Sequence, residues 1–310
     1  MPETAERPPA FLNTKCGNAE AAREALAIAG FELEAIEPDK LVDHFREAVA
    51  KKTPRILVAG GDGTIAAAAA AAARTGTELA ILPGGTLNHF AKDNGVPTDL
   101  GEAAIVAGGS EIKRVDLGYL NDKVFLNTSS IGLYVTFVRV RERLEKRLGY
   151  RLASMIAAVR MFSALRTIAV RLEIEGKERI YRTPLVFIGV GERELQAPKL
   201  GARIKDGKRG LHLMIVRGRG PARLFALALA AVSKGTSDVA RTPEFDSFIV
   251  DKCAIDVSSP RAVVALDGEL HVMKIPLEYR IERDALRLVV APPKRDEKEA
   301  EKSSSERPQG

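Results

Sequence analysis

The stretch ILVAGGDGTIAAAAAAAA, residues 56–73, sets an aspartate in a loop of bare glycines between an apolar run and a string of alanines. Ile56–Ala59 is short and continuously apolar, the pattern of a strand covered on both faces of a parallel sheet. The alanines that follow favour a helix. Gly60, Gly61 and Gly63 leave the backbone N–H groups open to an anion, with no Cβ in the way. The helix N-terminus adds about half a positive charge at the same place. These features together favour a phosphate. Asp62 does not fit a direct phosphate contact, because like charges repel. It fits a magnesium ion, a ribose hydroxyl, or an acceptor hydroxyl awaiting deprotonation. The plainer reading is a tight strand-to-helix turn that Asp62 caps.

A second loop of the same kind weighs against the plain turn. LPGGTLNHF, residues 82–90, again places two glycines and a threonine after a strand. LNTKCGN, residues 12–18, is a third candidate after the first strand, with Lys15 available for phosphate charge. Loops after parallel strands open at one edge of the sheet and face one crevice. There is neither a Walker loop nor a G-x-G-x-x-G fingerprint. Around these loops, residues 10–112 alternate between strand and helix: helix 19–30 closed by Gly30, strand FELEAIE, helix LVDHFREAVAK, strand RILVAG, the alanine helix, strand TELAILP, and a helix that stops near Gly95 and Pro97. That alternation predicts a doubly wound α/β unit over 10–114.

From about residue 115 the pattern changes. KVFLNTSSIG, TIAVRLEIEGKERIYRTPLVFIGVG, GLHLMIVRG, CAIDVSS, RAVVALDGELHVMKIPLEYRI and ALRLVVA read as β segments, with hairpin signals at EGKE and LDGE. Helical patterns at 139–165 and 221–233 interrupt them. The expectation is a sandwich-like β-rich unit over 115–291 with helical insertions, whose last strand can return to the first unit. Residues 1–9 and 292–310 read as disordered tails.

The formal charge is +6, and the segment 139–166 alone carries it, with eight Lys/Arg against two Glu. One anionic contact surface is therefore expected, not broad nucleic-acid binding. Leu144, Leu148, Leu152, Met155, Ile156, Val159, Phe162 and Leu165 recur in this segment at helical spacing, and Gly149 bends or divides it. A basic amphipathic helix can lie on an anionic membrane; its apolar stripe can equally pack on the sandwich. No apolar run reaches spanning length, and LFALALAAV at 224–232 reads as a buried helix. The N-terminus lacks a secretory pattern, and Cys16 and Cys253 form no disulfide framework, so a reducing cytoplasm is the expected compartment. No pattern specifies an oligomeric state.

GGDGT, followed by LPGGTLNHFAKDNGVP, FLNTSSIGLYV and ALDGEL, resembles the diacylglycerol kinase catalytic-domain family, in its bacterial lipid kinase branch. The likeness covers most of residues 10–291. It implies a first domain like that of phosphofructokinases and NAD kinases, a β-sandwich second domain, and an ATP- and Mg2+-dependent kinase acting on a lipid hydroxyl. ATP is expected on Gly60, Gly61, Asp62, Gly63 and Thr64, with Gly85, Thr86 and Asn88 from the second loop. The family's first loop reads Asn-Pro-x-Ser-Gly; here Asn13 and Gly17 match, while Thr14 and Cys16 depart. His89 stands where the family often has aspartate, and imidazole is a poor magnesium ligand. The resemblance makes Asp62 and Glu269 the carboxylates that deprotonate or orient the acceptor, although Asp267–Glu269 also reads as an ordinary hairpin. It makes Asp206, in IKDGKRGLH, a candidate for a structural Mg2+. Two other readings remain at this point: a kinase for a soluble acceptor such as NAD, and a nucleotide-binding regulatory module without catalysis.

Overall fold

The structure, a computed structural model, describes residues 8–31, 33–163, 167–194, 203–204, 206–216 and 245–292. The chain begins β1 (Ala10–Asn13), α1 (Ala19–Ile28), β2 (Leu33–Ile36), α2 (Leu41–Ala50), β3 (Arg55–Gly60), α3 (Asp62–Ala72), β4 (Glu78–Pro83), α4 (His89–Asn94) and α5 (Leu100–Ala107). The strands pair in parallel in the order β2-β1-β3-β4. Side chains alternate across a strand, which explains the layering. Ile56, Val58, Leu79 and Ile81 pack with Phe45, Ile65, Ala68 and Ala72 of α2 and α3. Leu57, Ala59, Ala80 and Leu82 point the other way, onto Ala22, Leu26, Ala103 and Ala107 of α1 and α5. This is the doubly wound arrangement expected. Because β2 lies on one side of β1, and β3 and β4 on the other, the switch point falls between β1 and β3.

The rest is mainly β: β5 (Ile112–Leu120), β6 (Lys123–Phe125), β7 (Thr128–Gly132), α6 (Leu133–Ser163), β8 (Ile168–Ile174), β9 (Lys177–Thr183), β10 (Leu185–Val190), β11 (Leu211–Val216), β12 (Phe245–Val250), β13 (Lys252–Val257), β14 (Arg261–Leu266), β15 (Glu269–Lys274) and β16 (Leu277–Val289). An antiparallel sheet runs β12-β11-β10-β7-β14-β15, while β16-β13-β8-β9 extend the first sheet beyond β4. Between the two sheets lies a second core that includes Phe125, Ile188, Leu213, Val264, Ile255 and Tyr279. The expected hairpins form on two-residue turns, Glu175-Gly176 and Asp267-Gly268, all four residues at positive φ.

α5, β5 and β12 were not anticipated from the pattern. α6 starts at Leu133, ahead of the basic segment, and Gly149 (φ 72°, ψ 165°) divides it. The helix expected over 221–233 lies outside the described residues, as do nearly all of both tails. Cys16 and Cys253 are free thiols. No helix among the described residues is long and apolar enough to cross a membrane.

β16 does return to the first unit. It runs antiparallel to β13 at Leu277–Arg280 and parallel to β4 at Arg287 and Leu288. Its register against β5 slips between Glu282 and Leu286, where Asp284 has φ 55°. A polar clasp holds this slip. Arg209 Nε donates to Asp116 Oδ2 at 2.9 Å and its Nη2 to Asp284 Oδ1 at 2.9 Å. Asp284 N–H donates to Asp116 Oδ1 at 3.0 Å. The Asp116 side chain is only 2% exposed. Burial pushes its carboxyl up, but the Arg209 and Asp284 hydrogen bonds and the nearby guanidinium charges outweigh this and hold it below the usual carboxylate range. A depressed carboxyl stabilises the fold above its unfolded value of about 3.9 and loses that contribution as pH falls through the folded value. Asp116→Asn should therefore cost about 1–3 kcal/mol at pH 7, with the gap to wild type narrowing below about pH 4. Denaturant unfolding of both proteins at neutral and acid pH measures this; a gap independent of pH would contradict it.

Candidate active site

β1, β3 and β4 are parallel, so their carboxyl ends reach one edge of the sheet, and the three glycine-containing loops meet there. Gly84 N–H donates to Gly60 O at 2.9 Å. A Cβ added to Gly85 would lie 3.0 Å from Gly61 Cα, so the loops after β3 and β4 touch backbone to backbone. Asn13, at the end of β1, donates from Nδ2 to Thr64 Oγ1 at 2.8 Å and accepts Lys15 N–H at 2.9 Å. Cys16 Sγ packs 3.1 Å from where a Gly84 Cβ would stand.

α3 starts with no side-chain cap. Gly61 is its extended N-cap, and the first ladder bond runs from Ile65 N–H to Gly61 O at 3.0 Å. The N–H groups of Asp62, Gly63 and Thr64 thus precede the ladder. Asp62 is the first helical residue and does not cap, which corrects the plain-turn reading. Its Oδ1 is buried without a hydrogen-bond partner among the described residues.

Glu269 arrives from the other sheet, at the start of β15. A Cβ on Gly63 would collide with Glu269 Oε1, so the carboxylate rests against the first turn of α3 only because residue 63 is glycine. The Asp267-Gly268 turn carries it there. Asp267 (φ 47°) accepts N–H bonds from Leu126 at 2.7 Å, Asn127 at 2.8 Å and Thr128 at 2.9 Å. Burial pushes the Asp267 carboxyl up, those three N–H groups pull it down, and the Asp62 charge pushes it up again, for a net rise. Sequence reasoning saw this residue only as a turn former; nothing local reveals the strand entrance that it holds.

Arg193, just past β10, was missed altogether. It is 3% exposed. It donates to Asp93 Oδ2 of α4 at 3.0 Å, to Asn127 O at 2.9 Å and to Val190 O at 2.8 Å. Its own N–H donates to His212 Nδ1 at 2.9 Å, which leaves the proton on Nε2, 2.7 Å from Ser247 Oγ. Burial lowers the pKa of His212 and keeps it neutral. Arg193 thereby ties the helix after the second glycine loop to the segment that Asp267 organises.

The remaining expected residues divide. Asn88 is buried at φ 51°; its Oδ1 accepts Gly85 N–H at 3.0 Å, and its Nδ2 donates to Pro83 O at 3.2 Å and Gly85 O at 2.9 Å. It shapes the second loop from within. Thr86 and His89 are exposed on that loop and at the start of α4. Lys15 is exposed and its ammonium lies 3.4 Å from Glu37 Oε2. Asp206 sits in an exposed turn. Three residues on, the cation between Asp116 and Asp284 is the Arg209 guanidinium. Among the described residues no group of three or more His, Cys, Asp or Glu could hold a metal.

The model of the diacylglycerol kinase catalytic domain matches residues 11–120. A protein of Pseudomonas syringae pv. tomato named probable lipid kinase YegS-like is 37% identical over 162 residues, 51% of this chain and 50% of the relative. The chain thus spans about half the length of the first curated relatives that it matches. A Klebsiella pneumoniae protein of the same name is 30% identical over 225 residues, 67% of this chain and 73% of the relative. The crystal structure of a diacylglycerol kinase from Bacillus anthracis shares the fold, with TM-score 0.65 at 20% identity over 93% of this chain and 97% of that one. The chain belongs to the diacylglycerol kinase catalytic-domain family, in its bacterial lipid kinase branch.

Proposed function

We propose that this protein is a lipid kinase that moves the γ-phosphoryl group of MgATP to a hydroxyl of a diacylglycerol-like lipid. The observation that carries the reading is Asp62 Oδ1, buried and unpartnered among the described residues, between touching glycine loops and with Glu269 against the next residue. The N–H groups of Asp62, Gly63 and Thr64 and the α3 dipole would hold phosphate oxygens, with Gly60, Gly61, Gly85 and Thr86 as the bare walls. Asn13 would support Thr64, and Asn88 would shape the second loop. Lys15 can add charge at little cost, since an exposed pair such as Lys15–Glu37 contributes about 0–1 kcal/mol.

The donor set fits magnesium. Mg2+ in phosphoryl-transfer sites takes one or two carboxylates together with phosphate oxygens, and the orphaned Asp62 oxygen and Glu269 are hard donors of that kind. Bound there, the ion would neutralise charge developing on the phosphates. Exposed His89 is not needed for it. As the acceptor oxygen bonds to the γ-phosphorus and the bond to ADP breaks, the hydroxyl proton passes to whichever of Asp62 and Glu269 does not hold the ion. Such proton transfer contributes about 10²–10⁴-fold. In this proposal residues 10–114, completed by the end of β16, bind the nucleotide, and 115–291 supply the acceptor side. The protein works at an anionic membrane as a peripheral cytoplasmic enzyme.

Labelled ATP with a panel of lipids and NAD should give one phosphorylated lipid. Asp62→Asn and Glu269→Gln should each lower kcat by about 10²-fold or more with circular dichroism unchanged. Wild-type turnover in both variants, or phosphorylation of NAD alone, would defeat the proposal. Gly63→Ala should also lower turnover by about 10²-fold, because it displaces Glu269. It should not lower the melting temperature through backbone propensity, since alanine favours the helix by about 1 kcal/mol. Turnover equal to wild type would show that Glu269 is not needed where the structure puts it.

A further inference from the structure

The first part of α6 packs on the antiparallel sheet: Val135 and Val138 bury against Ala265, with Leu270 beside them. Farther along, Arg141 donates to Gly268 O at 3.3 Å, so this helix touches the turn that carries Glu269. Around and past the break at Gly149 the burial pattern inverts. Ala153 and Ala157 are fully buried, whereas Leu148 is 41%, Leu152 42% and Met155 61% exposed. A helix recruited to a core buries its largest apolar side chains, because stabilisation scales with apolar area removed from water. Here Ala153 and Ala157 occupy the inside and Leu144 and Ile156 are half-buried, whereas Leu148, Leu152 and Met155 stay exposed. On the helical segment before the break, which also carries Leu148, Arg139, Arg143 and Arg147 are exposed. None of these three is ion-paired among the described residues.

An element that exposes large apolar side chains and unpaired arginines on either side of one break fits few partners. A second copy docking about a two-fold axis would bring the same positive charges together. Nucleic acid would meet the arginines but leave Leu152 and Met155 uncovered. A bilayer with anionic head groups satisfies both: acyl chains for the apolar residues, phosphates for the guanidinium groups.

We propose that α6 is the membrane-docking element, seating Leu148, Leu152 and Met155 in the interface with Arg143 and Arg147 among anionic head groups. Docking there presents the crevice to the layer that holds a lipid acceptor. This inference rests on the lipid kinase reading for its biological sense, but its test does not use catalysis.

The full chain is mixed with vesicles of phosphatidylcholine alone, or with about one-third phosphatidylglycerol, and sedimented at low and high salt. Wild type should bind the anionic vesicles, and added salt should weaken that binding. R143Q/R147Q should weaken binding about thirtyfold, which is about 2 kcal/mol at about 1 kcal/mol per base. L152Q/M155Q should weaken it about tenfold or more through lost apolar insertion. Both pairs should keep the wild-type circular dichroism spectrum and the wild-type turnover of a monomeric short-chain diacylglycerol. Binding that is equal on neutral vesicles, absent, or unmoved by both pairs would overturn the proposal. So would a wild-type dimer that L152Q/M155Q converts to monomer, since a second copy would then own the face. Failure of the kinase reading would instead appear as absent turnover with vesicle binding intact.

Discussion

The arrangement depends on one strand serving two cores. β16 places Leu277 and Tyr279 in the core between the sheets and Leu286 and Leu288 in the core of the doubly wound layers. The Glu269 hairpin belongs to one sheet and the α3 N-terminus to the other, so their contact requires the two sheets to keep a fixed relation. A single linker crossing would permit hinge motion. A ladder-bonded strand crossing, with β5 paired along it, does not do so cheaply. The register slip at Glu282–Leu286 is the weak point in that strand, and it is where Arg209, Asp116 and Asp284 are clasped. The clasp thus acts on the crevice from a distance, by holding the strand that aligns both sides of it.

Within the crevice the electrostatics are unfavourable by themselves. Asp62 and Asp267 interact closely enough for the first to raise the second, and Glu269 lies against the residue after Asp62. Three carboxylates near one helix start would be a poor design for stability alone. The α3 dipole offsets part of the repulsion, and three N–H donors offset part of it for Asp267. The oxygen left without compensation is Asp62 Oδ1. A site that folds with such a deficit is suited to a cation arriving with its ligand, and local rule-breaking of this kind is expected where function is located.

The glycine loops, their shared edge, the two hairpins and the return of the last strand were legible in the sequence because each leaves a local mark. Parallel strands read as continuous apolar runs, two-residue turns as Glu-Gly and Asp-Gly, and loops after parallel strands must open together. The polar struts leave no such mark. Asp267 meets residues about 140 positions away, Arg193 meets Asp93 at 100, and Arg209 meets Asp116 at 93. Periodicity reports which face of an element is buried; it carries no information about which distant donor a buried carboxylate will find. The same limit applies to α6. Its stripe was visible, but the side that faces the protein past Gly149 carries Ala153 and Ala157, with Leu152 and Met155 turned outward.

The hairpin bearing Glu269 is held from two directions, and the holders are connected. Asp267 binds the N–H groups of residues 126–128, where β7 begins. β7 runs directly into α6, and α6 returns through Arg141 to the carbonyl of Gly268. The path from turn to strand to helix and back to the turn is closed. A force on α6 therefore reaches Glu269 through packed and hydrogen-bonded elements, and not through a free loop. If α6 meets a bilayer, the same path makes the set of the carboxylate against α3 depend on docking, because helix and turn share the Arg141 bond. A docking surface placed elsewhere on the sandwich would lack that link.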